Sequence, residues 1–196
     1  EAAVKHCAAG KFRNAGQVCI SPTRFFIEEP VYDEFIKSFK SHVEAINVGD
    51  GLDSKSTMGP LVADRRLEVM EDFISDAISS GGEVISGGGR GQSPGSFFEP
   101  TLIRDVPDTA KIMIEEPFGP VAPSASFSSI DEIIERANSL PFGLASYAFT
   151  SNPRTSQILK SEIESGMLAV NSMHIHSVET PFGGLKHSGY GYEGSI

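Results

Sequence analysis

The segment FRNAGQVC, residues 12–19, ends in Cys19 and forms a polar, glycine-containing turn between an Ala-rich stretch and an aromatic one. A thiol in such a turn can be exposed, and backbone N–H groups around it favour the thiolate, which is the nucleophilic form. The alternative is a buried structural cysteine, and that is the reading given to Cys7, which lies inside the Ala-rich stretch. Two cysteines do not make a disulfide scaffold, so a reducing, cytoplasmic setting is expected.

Two further clusters carry chemistry. EEPFGPV, residues 115–121, sets adjacent carboxylates before Pro117 and Gly119. It reads either as a solvated turn or as a place where one carboxylate accepts hydrogen bonds from the paired hydroxyls of a sugar, with Phe118 against a flat ring. PFGGLKHSGYGYEG, residues 181–194, contains a formal G-x-G-x-x-G in Gly189, Gly191 and Gly194. That pattern binds a dinucleotide only where a strand precedes it and a helix opens within it, and neither is predicted here. His174 and His176 share a face of an extended segment, but no cysteine or third histidine stands near them in sequence, so no metal site is expected. A Cys19–His thiol hydrolase is chemically reasonable and depends on a geometry that sequence does not fix.

The elements that must position these groups alternate. Residues 1–12 are Ala-rich and predicted helical. TRFFIEE (23–29) reads as a strand, followed by a helix over 31–46 with Phe35, Ile36, Phe39 and Val43 at helical spacing. A second helix over 63–80 turns Leu67, Met70, Phe73, Ile74, Ala77 and Ile78 inward and stops at Gly81 and Gly82. Strands are predicted at 83–86, around 101–106, at 121–127, at 144–150 and at 167–171. Ser129 caps a helix with Glu132 at the capping-box position, and Asn152 caps another that begins at Pro153. The last 20 residues are glycine-rich and aromatic, with little regular structure expected. This alternation predicts an α/β fold with a mainly parallel sheet flanked by helices.

The chain has 196 residues, 39% hydrophobic and 21% charged, with a net charge of -10. It is long enough to bury a core. With no run of Lys and Arg, a nucleic-acid partner is not expected. No stretch of 18 apolar residues and no signal peptide is visible, so no membrane span is expected. The chain opens at Glu1, in what reads as the middle of a helix, and is expected to be a piece of something longer.

In this order and at these separations, FRNAGQVC, EEPFGPV and PFGGLKHSG resemble the aldehyde dehydrogenase superfamily over essentially the whole chain. The resemblance implies that residues 1–196 are the nucleophile-bearing part of the catalytic domain, with the cofactor-binding domain largely absent. It implies NAD or NADP as cofactor, a small-molecule aldehyde as substrate and assembly into homo-oligomers. Cys19 matches the nucleophile that attacks the aldehyde carbon, giving a thiohemiacetal, then a thioester after hydride leaves, then the acid. Glu116 matches the glutamate that holds the nicotinamide ribose, and Phe118 the phenylalanine packed beside it. Asn171 matches an asparagine near the substrate tunnel. The family's general-base glutamate and oxyanion asparagine have no counterpart here, so the isolated chain is expected to be nearly inactive.

Arg13, together with His176-Ser177-Val178-Glu179 before PFGG, resembles the succinate-semialdehyde dehydrogenase branch. There an arginine and a serine at these places bind the substrate's distal carboxylate, which implies that role for Arg13 and Ser177. A guanidinium fork suits a carboxylate; an arginine bonded to helix-end carbonyls is the other reading. Some members of that branch carry a second cysteine two residues after the nucleophile. Ser21 stands there, so a thiol redox switch is not expected. A thiol hydrolase and a non-catalytic interaction domain are the competing functions.

Overall fold

The computed structural model describes residues 1–194 of the chain, which divide into two compact units, Glu1–Ser126 and Phe127–Ile196. In the first unit α1 (Ala2–Phe12) leads through a 3-10 turn at Arg13–Gly16 to β1 (Phe25–Glu28). Then follow α2 (Tyr32–Glu44), α3 (Arg65–Ser79), β2 (Glu83–Ser86), β3 (Thr101–Arg104), the single-turn α4 (Lys111–Ile114) and β4 (Val121–Phe127). The four strands make one sheet in the order β1-β4-β3-β2, with β3 and β4 parallel and β2 antiparallel to β3 at one edge.

The central strands explain the core. Thr101, Leu102 and Ile103 of β3 and residues 121–125 of β4 are all buried, so both pleat faces are covered. Against them pack the stripes Tyr32, Ile36, Phe39 and Val43 of α2 and Leu67, Met70, Phe73, Ile74 and Ala77 of α3. Phe35, at the same helical spacing, is half-buried, and Ile78, expected inward, is 52% exposed beside the fully buried Ala77. That helix ends as its two glycines foretell: Gly81 N–H donates to the Ile78 carbonyl at 3.0 Å and Gly82 N–H to the Ala77 carbonyl at 2.8 Å, a Schellman pair. Buried polar atoms are matched. Ser124 Oγ donates to the Ile103 carbonyl at 2.9 Å, and Tyr32 Oη accepts from the Asp105 N–H at 2.9 Å, which ties α2 to the end of β3.

The second unit holds α5 (Ile130–Asn138), β5 (Phe142–Gly143), β6 (Ala145–Ala148), α6 (Pro153–Glu162), β7 (Met167–Val170) and β8 (Leu185–Lys186). β6 and β7 pair in parallel and β5 and β8 antiparallel. Asn152 caps α6 as expected, its Oδ1 accepting from Arg154 N–H at 2.9 Å and Thr155 N–H at 3.4 Å. At α5 Ser129 caps the helix as expected, but the capping box closes one residue early. Ser129 Oγ accepts from Glu132 N–H at 3.2 Å, but the Glu132 carboxylate returns to the N–H and hydroxyl of Ser128, not to Ser129. The segment after β7 is irregular apart from β8 and a bridge between Phe182 and Glu193.

Phe39 is 0% exposed and meets the rings of Phe12, Phe25 and Phe35 at centroid distances of 6.3, 5.3 and 5.7 Å, joining α1, β1 and α2. Phe39→Ala is expected to destabilise the fold by about 3–5 kcal/mol, read from the midpoint and slope of a urea titration. A loss under about 1 kcal/mol would mean the cluster does not hold these elements together.

Candidate functional site

Helix α1 stops because the chain turns left-handed over three successive residues: Asn14 (φ 51°, ψ 37°), Ala15 (φ 53°, ψ 35°) and Gly16 (φ 71°). Residues other than glycine occupy this region at a cost of roughly 1–2 kcal/mol each, so the turn needs strong fixings. Asn14 Nδ2 donates to the Gln17 carbonyl at 3.0 Å, and Gln17 N–H donates back to the Asn14 carbonyl at 3.0 Å. The Gln17 amide reaches across to the loop before α3, donating to the Pro60 carbonyl at 3.3 Å and accepting from Val62 N–H at 2.8 Å. Beyond it, Ser21 N–H donates to the Val18 carbonyl at 2.9 Å, closing a tight turn with Cys19 and Ile20 at its tip. The buried Ser21 Oγ donates to the Lys11 carbonyl at 3.2 Å. Cys19 is therefore exposed at the tip of a turn pinned on both sides. Cys7 is buried on α1, and desolvation pushes its thiol up to about 12.

The second turn, residues 115–120, joins α4 to β4 and backs onto the first. A Cβ on Gly16 would overlap the Gly119 carbonyl oxygen and stand 2.7 Å from its carbon; one on Gly119 would run into the Met70 sulfur of α3. A glycine at 16 allows the two backbones to approach this closely, and one at 119 makes room for Met70. Arg66 Nη2 donates to the Pro117 carbonyl and fixes the middle of the turn from α3. Between these anchors Glu116 is exposed, and Phe118 takes a φ of 43° that leaves its ring 38% exposed. Arg13 is exposed at the start of the nucleophile turn and, among the described residues, forms neither a hydrogen bond nor an ion pair, so it is not spent on helix-end carbonyls.

The first unit thus carries Arg13 and Cys19 on one turn and Glu116 and Phe118 on the turn packed against it. The other two expected residues lie in the second unit. Asn171, left-handed at φ 57° just after β7, has its amide engaged: Oδ1 accepts from Thr150 N–H at 2.9 Å and Nδ2 donates to the Thr150 carbonyl at 2.8 Å, clamping the ends of β6 and β7. Ser177 is exposed in a turn, its Oγ accepting from Glu179 N–H at 3.3 Å. Sequence reasoning passed over Gln17, Ser21, Arg66 and Lys11, which hold the two turns. For Lys11 a signal existed: Val4, Cys7, Ala8 and Lys11 fall at the spacing of one buried helical face.

The profile of the aldehyde dehydrogenase family matches residues 1–196. A Sinorhizobium fredii protein named as a probable succinate-semialdehyde dehydrogenase (NADP(+)) is 42% identical over 195 residues, which is 100% of this chain and 40% of that protein. The 4-(hydroxymethyl)benzenesulfonate dehydrogenase TsaD1 of Comamonas testosteroni is 42% identical over 183 residues, 93% of this chain and 38% of that protein. The crystal structure of succinate-semialdehyde dehydrogenase from Burkholderia pseudomallei superposes with a TM-score of 0.97 at 38% identity, covering 99% of this chain and 40% of that one. The chain spans about 40% of the length of the relatives it matches most fully. A family match over all 196 residues, with the same fold in a structure at 38% identity, leaves one assignment: this chain belongs to the aldehyde dehydrogenase family.

Proposed function

We propose that this chain is the nucleophile-bearing part of an NAD(P)-dependent dehydrogenase that oxidises a semialdehyde with a distal anionic group, succinate semialdehyde in the first place. The observation that carries the reading is the seating of the exposed Cys19 turn on the Glu116–Phe118 turn through Gly16 and Gly119. Glu116 and Phe118 suit a nicotinamide nucleotide: an exposed carboxylate for the ribose hydroxyls and an exposed ring for a flat partner, both on one anchored turn. When bound, the nicotinamide supplies the acceptor for hydride.

The residues of the chain do the rest. Cys19 Sγ adds to the aldehyde carbon, the thiohemiacetal loses hydride, and water cleaves the resulting thioester, releasing the acid and returning the thiol. The Cys19 N–H is offered to the oxyanion. A general base and a second oxyanion donor come from the rest of the complete subunit, consistent with the share of its relatives that this chain spans. Arg13 presents a free guanidinium fork to the distal anion, and names among the relatives that carry a semialdehyde or a sulfonate support that choice. Within the second unit Ser177 exposes a hydroxyl suited to a substrate anion, and Asn171 holds the end of β6 to β7. The two free cysteines suit a reducing compartment, and no helix among the described residues is long and apolar enough to cross a membrane.

Two experiments test this reading. Brief alkylation of the native protein near pH 8 should modify Cys19 and spare Cys7, whose thiol stays protonated and buried; peptide mapping that finds the adduct first on Cys7 would remove Cys19 as nucleophile. In a complete dehydrogenase subunit carrying this sequence, Arg13→Ala should raise KM for succinate semialdehyde by roughly 1.5–3 kcal/mol in free-energy terms, through loss of a charge-assisted hydrogen bond. An uncharged aldehyde should be nearly unaffected. Equal losses for both aldehydes would make Arg13 structural and end the assignment to anionic aldehydes.

A further inference from the structure

Gln17 stands two residues before Cys19, and the chemistry above gives it no part. Its half-buried amide is spent on backbone. Nε2 donates to the Asn14 carbonyl at 3.1 Å and the Pro60 carbonyl at 3.3 Å, and Oε1 accepts from Val62 N–H at 2.8 Å. The Val62 N–H can only donate, so one orientation of the amide satisfies all three partners. Ser21 Oγ ties the turn back to α1, from which it springs. Gln17 ties it instead to a loop 43 to 45 residues further along the chain. That loop is itself held: Leu61 is buried, and its N–H donates to the Ser96 carbonyl at 2.8 Å. Three residues past Val62 the loop becomes α3, and α3 supports the other turn. Arg66 Nη2 donates to the Pro117 carbonyl, and Met70 fills the space beside Gly119. The turn of Cys19 and the turn of Glu116 are therefore both anchored to residues 60–70, the first of them through Gln17.

We infer that Gln17 is a positioning residue: its amide holds the Cys19 turn in register with the entry to α3, the helix that also fixes the Glu116–Phe118 turn, and so sets the thiol for hydride transfer. It acts through Cys19 and takes no part in bond making. The inference rests on the reading of Cys19 as nucleophile proposed above, and the test separates the two.

In the complete dehydrogenase subunit, Gln17→Met, Gln17→Glu and Cys19→Ala are compared with the parent. The readouts are the burst rate of NAD(P)H formation, the rate at which iodoacetamide alkylates Cys19, and the thermal transition. Gln17→Met keeps the length of the side chain and removes its hydrogen bonds. It should lower the burst rate about tenfold or more, since hydride transfer depends on placement. Alkylation, which needs only an exposed thiol, should stay within about threefold of the parent. Gln17→Glu adds a pH signature. Its neutral carboxyl can donate to a carbonyl and accept from Val62 N–H as the amide does, whereas the ionised form only accepts. Its burst rate, taken as a ratio to the parent to cancel the titration of the thiol, should therefore rise as pH falls from about 8 to about 5. A parental burst rate in Gln17→Met, or a flat ratio in Gln17→Glu, would overturn the inference. Alkylation that falls in step with the burst rate, or failure of both variants to fold, would assign Gln17 to the stability of the turn alone and overturn it equally. A burst that survives in Cys19→Ala would overturn the reading of Cys19 itself, whatever the Gln17 variants do.

Discussion

Two glycines in contact set the terms for the rest of this structure. Gly16 lies so close to the Gly119 carbonyl that it has no room for a Cβ, and Met70 leaves none at Gly119; together these contacts seat the turn that carries Cys19 against the turn that carries Glu116 and Phe118. The two groups proposed as nucleophile and as ribose ligand, Cys19 and Glu116, come from segments about a hundred residues apart. Their two turns rest on a core in which Phe39 of α2 joins α1 and β1, and Met70 of α3 is buried beneath Gly119, both 0% exposed. Met70 itself backs Gly119, so the core reaches directly to the turn.

The contact is held at a cost. Asn14 and Ala15 sit left-handed beside Gly16, and Phe118 does so on the other turn, positions that disfavour side chains. What offsets the strain is a set of fixings on either side: the Gln17 amide to Pro60 and Val62, Ser21 to Lys11, and Arg66 to Pro117. The result is a rigid frame with exposed tips, in which Cys19, Glu116 and Arg13 face solvent while the backbone beneath them cannot shift freely. Positions that must hold reacting groups within fractions of an ångström call for that division.

Much of this was legible in the sequence, for reasons that differ by element. Gly81–Gly82 and Asn152–Pro153 announced helix ends because their chemistry is local, and β2 and β4 matched their expected bounds because Gly, Pro and Ser bracket them. Arg13, Cys19, Glu116 and Phe118 were singled out through motif order, and the structure sets them on two turns in contact. The misses were of another kind. Ile78 looked inward by spacing, but it falls beside the buried stripe, which ends at Ala77. The single turn of α4 is too short to carry a period. Ser129 caps α5 as its sequence announced, but the Glu132 carboxylate returns to Ser128, which offers it both an N–H and a hydroxyl. Gln17, Ser21 and Arg66 serve through bonds that span ten to fifty-one residues, and Asn171 spends its amide on a strand end, none of which a local pattern encodes. Lys11 was visible on the buried stripe of α1, and only its charge hid it.

The claim that most depends on this geometry is that the Gly16–Gly119 contact sets the distance between nucleophile and cofactor site. Gly16→Ala in the complete dehydrogenase tests it through the pre-steady-state rate of hydride transfer, measured on protein that keeps its cooperative thermal transition. A methyl group there must push the turns apart, and a displacement near 1 Å should cost about 10²-fold in that rate. A Gly16→Ala enzyme that transfers hydride at the parental rate would contradict the account.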